Sequence, residues 1–229
     1  VTNVRILDAG HQPVISQALP LTELLLDMAS AWVLTQRTAM TKIAIVYFSG
    51  YGHTAKQAEA VQRGAASIDG VEVTVLRIDQ EGNLPNGWTD VLASQDAVIY
   101  GSPTYMGGPA WQFKKFADAS SRLWTKQGLK DKLAAGFTNS ASVNGDKFST
   151  IQYLWTLSQQ HGQLWVGTGL LAANTKDSGP NDVNWSAGFA GALAISPSDA
   201  SAEEAPGSGD LKTAELLGAR VVAMVRRLG

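Results

Sequence analysis

After Met40, short apolar runs and longer stretches of helical periodicity take turns along the chain. Residues 42–48 (Lys-Ile-Ala-Ile-Val-Tyr-Phe) are almost continuously apolar, as a strand buried on both faces requires. Helical spacing follows from about Thr54 to Ala66, with Ala55, Ala58, Val61 and Ala65 on one face. Further strands are predicted at 71–78, 96–101, 132–138 and 164–168, with a short segment, Trp88–Ser94, before the third. Pro109 occupies a favoured first helical position, and its helix is expected to bury Phe113, Phe116, Ala117, Leu123 and Trp124. The next helix runs from about Gly145 to His161, and Gly162 stops it. Residues 170–209 are rich in small and polar types around one apolar island, Phe189–Ile195, and a helix over Asp210–Leu228 closes the chain. Five strands separated by helices imply an α/β fold, a parallel sheet covered on both faces. Ligands of such sheets sit at the carboxyl ends of the strands.

Residues 1–39 stand apart from this pattern. Leu21, Leu24, Leu25, Met28 and Trp32 form a helical stripe within an otherwise loop-like stretch. Two readings are open: an accessory helix that covers a partner subunit, or translated sequence upstream of a start at Met40. The expected division is a non-catalytic extension at 1–39 and one catalytic domain at 40–229.

Composition removes several chemistries. The chain has no cysteine, which excludes disulfides, thiol nucleophiles, Cys-bound zinc and iron–sulfur clusters. Its three histidines are scattered, so no metal site is expected. A formal net charge of −2 offers no electrostatic attraction to nucleic acid or an anionic membrane. No apolar run has the length of a membrane span, and the reading is a cytoplasmic protein.

Three loops carry the chemistry. After the first strand comes Ser49-Gly50-Tyr51-Gly52-His53-Thr54, followed directly by a helix. The helix start supplies free N–H groups, the glycines allow close backbone approach, and the hydroxyls add donors. This describes a phosphate cradle built of neutral donors. It lacks the Walker A lysine but fits G-x-G-x-x-A through Gly50, Gly52 and Ala55, so an NAD(P)-binding Rossmann site, with Asp79 on the ribose, competes. The third strand leads into Gly101-Ser102-Pro103-Thr104-Tyr105-Met106-Gly107-Gly108-Pro109, which suits the edge and face of a flat heterocycle. The fourth leads into Thr138-Asn139-Ser140-Ala141-Ser142-Val143-Asn144-Gly145, small and polar throughout.

Ser49 to Thr54, Gly101 to Tyr105, Leu123-Trp124 and His161-Gly162, in this order, resemble the flavodoxin-like NAD(P)H:quinone oxidoreductases of the WrbA type and their FMN-binding relatives. The resemblance covers residues 40–229. It implies a flavodoxin-like three-layer sandwich with a five-stranded parallel sheet in the order 2-1-3-4-5, and bound FMN with NAD(P)H as co-substrate. Carried over, Ser49, Gly50, Tyr51, Gly52, His53 and Thr54 would bind the phosphate. Pro103, Thr104, Tyr105, Met106 and Gly107 would hold the ring and ribityl chain. Thr138, Asn139, Ser140, Ala141 and Gly145 would line the other ring edge. His161 would act at the flavin, and Trp124 and Tyr51 would form the acceptor pocket. A quinone-like acceptor is implied, as is a homodimer or homotetramer that completes the pocket. The chain departs from the WrbA pattern after strand four, where Asn-Ser-Ala-Ser-Val-Asn replaces Thr-Gly-Thr-Gly-Gly, and at Tyr105, which replaces an arginine. A flavodoxin-like electron carrier without turnover of its own, and a flavin-binding scaffold or regulatory protein in which catalysis is incidental, are the other functional readings.

Overall fold

The computed structural model describes residues 40–228, so the helical stripe over Leu21–Thr35 lies outside the described residues. Strand β1 (Thr41–Tyr47) lies inside the sheet, between two neighbouring strands. Its side chains alternate between two cores: Ile43, Ile45 and Tyr47 face one, and Ala44, Val46 and the following Phe48 face the other. Helices α1 (His53–Ala66) and α6 (Ser208–Leu228) cover the first face. The second is covered by α2 (Trp88–Ala93), α3 (Trp111–Ala119), α4 (Ser121–Trp124) and α5 (Lys147–Gln160). Each fully buried Ile or Phe in these cores contributes about 1.5–3 kcal/mol, which sets the register of every strand.

The main strands lie in the order β2 (Val71–Arg77), β1, β3 (Ala97–Tyr105), β5 (Leu133–Ser140) and then an edge position, all parallel. This is the expected 2-1-3-4-5 order. The edge position is split. β6 is only Leu164–Trp165 and pairs with the start of β5. β7 (Ala192–Ile195) pairs with the end of β5, matching Phe137 to Ala192 and Ser140 to Ile195. The strand predicted at 164–168 therefore stops after two residues, and the apolar island near 189–195 supplies its continuation. Residues 166–191 leave the sheet between the two halves.

Two other expectations change. β3 runs on to Tyr105, so Ser102, Pro103 and Thr104 are strand rather than loop. Pro109 does not start a helix; it belongs to β4 (Gly108–Pro109), which folds back on Thr104 and Tyr105. α3 then starts at Trp111, and a break at Ser120 sets α4 apart. That break changes the helical phase, which leaves Trp124 half-exposed instead of buried. Among the described residues no helix is long and apolar enough to cross a membrane, and no cluster of His, Asp and Glu could hold a metal ion.

α1 and α6 cross closely at two glycines. A Cβ on Gly218 would stand 2.1 Å from the Val61 carbonyl oxygen, and one on Gly64 would stand 1.8 Å from that of Glu215. Gly218→Ala is therefore expected to lose about 1–3 kcal/mol through overpacking, outweighing the gain of about 1 kcal/mol that alanine brings to a helix interior. Urea unfolding should show a lower midpoint with an unchanged slope. A raised midpoint would mean that the two helices do not meet here as described.

Candidate functional site

The carboxyl ends of β1, β3 and β5 enclose a cleft of about 560 Å³, within the usual range for a small-molecule site. Tyr51, His53 and Thr54 line one side, Pro103, Thr104 and Tyr105 the second, and Asn139, Ser140 and Ala141 the third. The three predicted loops thus converge. Among the described residues, no Lys, Arg, Asp or Glu lines the cleft.

The loop after β1 is shaped by Ser49, which is buried. Its Oγ accepts the N–H groups of Gly52 (3.1 Å) and Ala55 (3.2 Å), bending the chain into the first turn of α1. Gly52 has φ +92°, a conformation that an L side chain adopts only under strain, and a Cβ there would meet the Ala202 methyl at 2.8 Å. Among the described residues, the N–H groups of His53 and Thr54 have no hydrogen-bond acceptor. They are the free donors of a helix start, with the partial positive charge that favours an anion. Gly50 brings the loop under Tyr105: a Cβ there would lie 2.6 Å from the tyrosine Oη.

Tyr51 is 78% exposed at the mouth and meets Tyr105 edge to face, with ring centroids 6.1 Å apart. Burial pushes the Tyr105 hydroxyl up from its ordinary pKa, and Tyr51 beside it adds to the shift. The group therefore stays neutral at physiological pH. Met106 and Gly107 form the tip of the β3–β4 hairpin, both at positive φ, with Met106 fully exposed. Thr104 turns its hydroxyl inward, where Oγ1 lies 2.8 Å from those of both Thr138 and Thr150. Thr104 and Thr138 are both buried, and their hydroxyls serve to lock β3, β5 and α5 together. Asn139 Nδ2 donates to Ser196 Oγ at 2.7 Å. Gly145, at φ +51°, packs so closely on Ser140 that a Cβ would fall 2.1 Å from the serine Oγ.

Sequence reasoning missed a fourth wall. Ser196, Ser198 and Ala200 also line the cleft, and they reach it because β7 extends the sheet beside β5. His53 Nε2 lies 3.0 Å from the Ala200 carbonyl, tying this segment to the phosphate loop, and the carbonyl fixes the proton on Nε2. The available signal was the apolar island before Ser196 in an otherwise polar stretch.

Trp124 and His161 are not brought to this cleft. α5 runs antiparallel to the strands, so His161 at its end lies beside Asp131 and Gly162, at the amino edge of β5. The length of β5 separates the two edges by roughly 20 Å. Trp124 and His161 instead line a separate surface groove with Lys130 and Gln159. His161 is 5% exposed and neutral by construction of its contacts. Ser120 Oγ donates to the Ala117 carbonyl (2.7 Å) and so accepts from His161 Nε2–H (2.8 Å), while Nδ1 is buried and has no hydrogen-bond partner among the described residues. Burial pushes its pKa below the ordinary value. The Rossmann alternative also fails here. The sheet has the 2-1-3 order rather than 3-2-1, and the Asp79 carboxylate is spent on Asn83, at 2.7 Å from its N–H.

The structure is thus an α/β protein with a cleft at the switch point of its parallel sheet, bordered by a helix start with free N–H groups and by two tyrosines. A profile described as flavodoxin matches residues 45–154. Flavodoxin FldP of Pseudomonas aeruginosa (strain UCBPP-PA14) is 47% identical over 189 residues, covering 82% of this chain and 99% of that protein. The crystal structure of a WrbA-like flavodoxin from Agrobacterium tumefaciens matches with TM-score 0.66 and 45% identity, over 82% of this chain and 98% of that one. A flavodoxin from the domain Archaea shares the fold at 20% identity, with TM-score 0.55 over 81% and 99% of the two chains. The chain belongs to the flavodoxin family, whose cofactor is FMN. The residues present fit that group: the free amides of His53 and Thr54 would face its phosphate, and among the described residues no carboxylate lines the cleft.

Two outcomes follow from this geometry. Gly52→Val should strain the loop and push against Ala202, lowering FMN affinity at least tenfold in a fluorescence titration; unchanged affinity would show that the phosphate lies elsewhere. His161 binds a proton in the unfolded chain below pH 6.5 but resists it when folded, so stability is lost as pH falls below 6.5. The loss approaches about 1.4 kcal/mol per pH unit at most. His161→Gln should flatten the fall in melting temperature between pH 6.5 and 5.

Proposed function

We propose that this chain holds FMN in the cleft and passes electrons from NAD(P)H to a quinone-like acceptor. The observation that carries the reading is a neutral phosphate cradle joined to an open, aromatic-edged slot. Tyr51 lines it and stands largely exposed, so a planar donor or acceptor would have access to a ring held inside.

FMN, when bound, supplies the redox chemistry, taking up hydride and releasing electrons. The chain supplies position. Ser49 sets the direction of the loop amides toward the phosphate. Pro103 and Thr104 stiffen one edge of the slot, and Asn139 and Ser140 present polar groups at the other. Among the described residues, His53 and the two tyrosines are the titratable side chains that line the cleft, and His53 is engaged with Ala200. Proton delivery at the slot is therefore not a task of His161 in the same chain. A homodimer or homotetramer in which Trp124 and His161 of one copy approach the cleft of another would complete the acceptor pocket. Residues 40–228 contain every group assigned to FMN, so the extension at 1–39 is assigned no part in holding it.

A second reading has its own support, since the 47% identical relative is named a flavodoxin. In that case the chain carries electrons between proteins without turning over a small acceptor.

Purified protein should be yellow, with acid-released cofactor that migrates as FMN. Colourless protein that also refuses added FMN would defeat the proposal. NAD(P)H oxidation accelerated at least tenfold by benzoquinone supports the reductase. Flavin-loaded protein without that acceleration is a carrier. Deleting residues 1–39 should leave the FMN content unchanged.

A further inference from the structure

Two buried charges behind the cleft have no part in the reading above. Lys147 is 1% exposed at the first turn of α5, and Asp210 is 4% exposed at the first turn of α6. Neither lines the cleft, and they make no ion-pair contact with each other. Each spends its hydrogen bonds on a different wall. Lys147 Nζ donates to the carbonyls of Ser142 and Val143, in the loop that continues from Asn139, Ser140 and Ala141. Asp210 accepts the Ile195 N–H at 2.8 Å and the Ser186 hydroxyl at 3.3 Å, fixing the residue before Ser196. The two walls then meet: Asn139 bonds Ser196, and Ser196 N–H donates to the Ser140 carbonyl at 3.1 Å.

We propose that Lys147 and Asp210 are joint positioning residues, which hold the 139–143 loop and the 195–200 segment at the separation the FMN ring requires. The inference rests on the FMN reading of the cleft.

The placement of Lys147 argues that it is more than packing. A buried ammonium is expensive, and the positive end of a helix is the wrong place for it. Burial pushes its pKa down to about 8, with Asp210 opposing the shift. Methionine would fill the same space without either cost. What methionine lacks is a donor for two adjacent carbonyls. A trans peptide points its N–H opposite to its C=O. The ammonium, by drawing in the carbonyls of Ser142 and Val143, turns the N–H groups of Val143 and Asn144 away from itself. Asp210 has the corresponding effect on the other wall. Its carboxylate holds the end of β7, and burial raises its pKa while the Ile195 N–H, the Ser186 hydroxyl and Lys147 lower it again. The two charges compensate each other through the protein, so neutralising one weakens the setting of the other.

The test is a double-mutant cycle on FMN affinity with the full chain stripped of flavin: Lys147→Met, Asp210→Asn and the pair. Each single variant should weaken FMN binding at least tenfold. The double variant should fall short of the product of the single losses by at least threefold. The melting temperature of the flavin-free double variant should stay near that of the parent, because removing both charges leaves neither one buried without its counter-charge, whereas each single variant should melt lower. Affinity lost without stability lost separates positioning from general structural damage. Single variants that bind FMN within twofold of the parent, or losses that multiply fully, would overturn the proposal. So would an affinity loss matched by a collapse of the flavin-free double variant, with Asp210→Asn alone deciding if the double variant does not fold. A parent chain that binds no FMN would instead sink the cofactor reading itself, and the positioning role with it.

Discussion

The Ser49 hydroxyl, by accepting two main-chain N–H groups, turns a strand end into a helix start within six residues. Everything else at the site is arranged around that turn. Gly52 can take its strained φ because nothing larger is present, Tyr105 lies down on Gly50, and His53 reaches out to the Ala200 carbonyl. With the turn in place, the free amides of α1 face outward at the one edge of the sheet where β1 and β3 part. A neutral site can then bind a dianion, because oriented peptide dipoles in a partly dry cleft act more strongly than they would in water.

Much of this was readable from residue order. The parallel sheet followed from apolar runs at fixed intervals, and its 2-1-3-4-5 order from the likeness to a known family. The convergence of Ser49–Thr54, Pro103–Tyr105 and Asn139–Ala141 follows from all three loops leaving the same ends of parallel strands. Periodicity could not show that β3 continues through Pro103. A proline cannot donate to a ladder, and its place in β3 depends on the pairing with Asn139 and the hairpin beyond. It also could not show that Phe189–Ile195 completes an edge strand begun at Leu164, since local sequence carries no record of a partner so distant in the chain. His161 and Trp124 were placed by motif, and a motif says nothing about which end of a helix meets which end of a strand. Lys147 was hidden for a different reason. A lone lysine in a helix reads as solvated, and only the three-dimensional surroundings show it enclosed.

The distribution of charge is divided by depth. The cleft is lined by hydroxyls, amides and rings, while the charged groups near it, Lys147 and Asp210, sit behind its walls. This keeps the binding surface free of fixed charges that would need neutralising when the site empties. It also leaves the electrostatic environment of a bound ring under the control of groups that solvent does not reach.

The split edge of the sheet has a consequence for how the cleft assembles. β6 is two residues long and cannot hold the border of β5 by itself, and the stretch beside Phe137 to Ser140 stays bare until the chain returns from its excursion over 166–191. Closing so long a loop delays this pairing relative to the β1–β3 contacts. The wall that carries Ser196 is then late to arrive, and Asp210, Asn139 and His53 fasten it once it is in place. The cleft thereby gains its last side only after the centre of the sheet has formed.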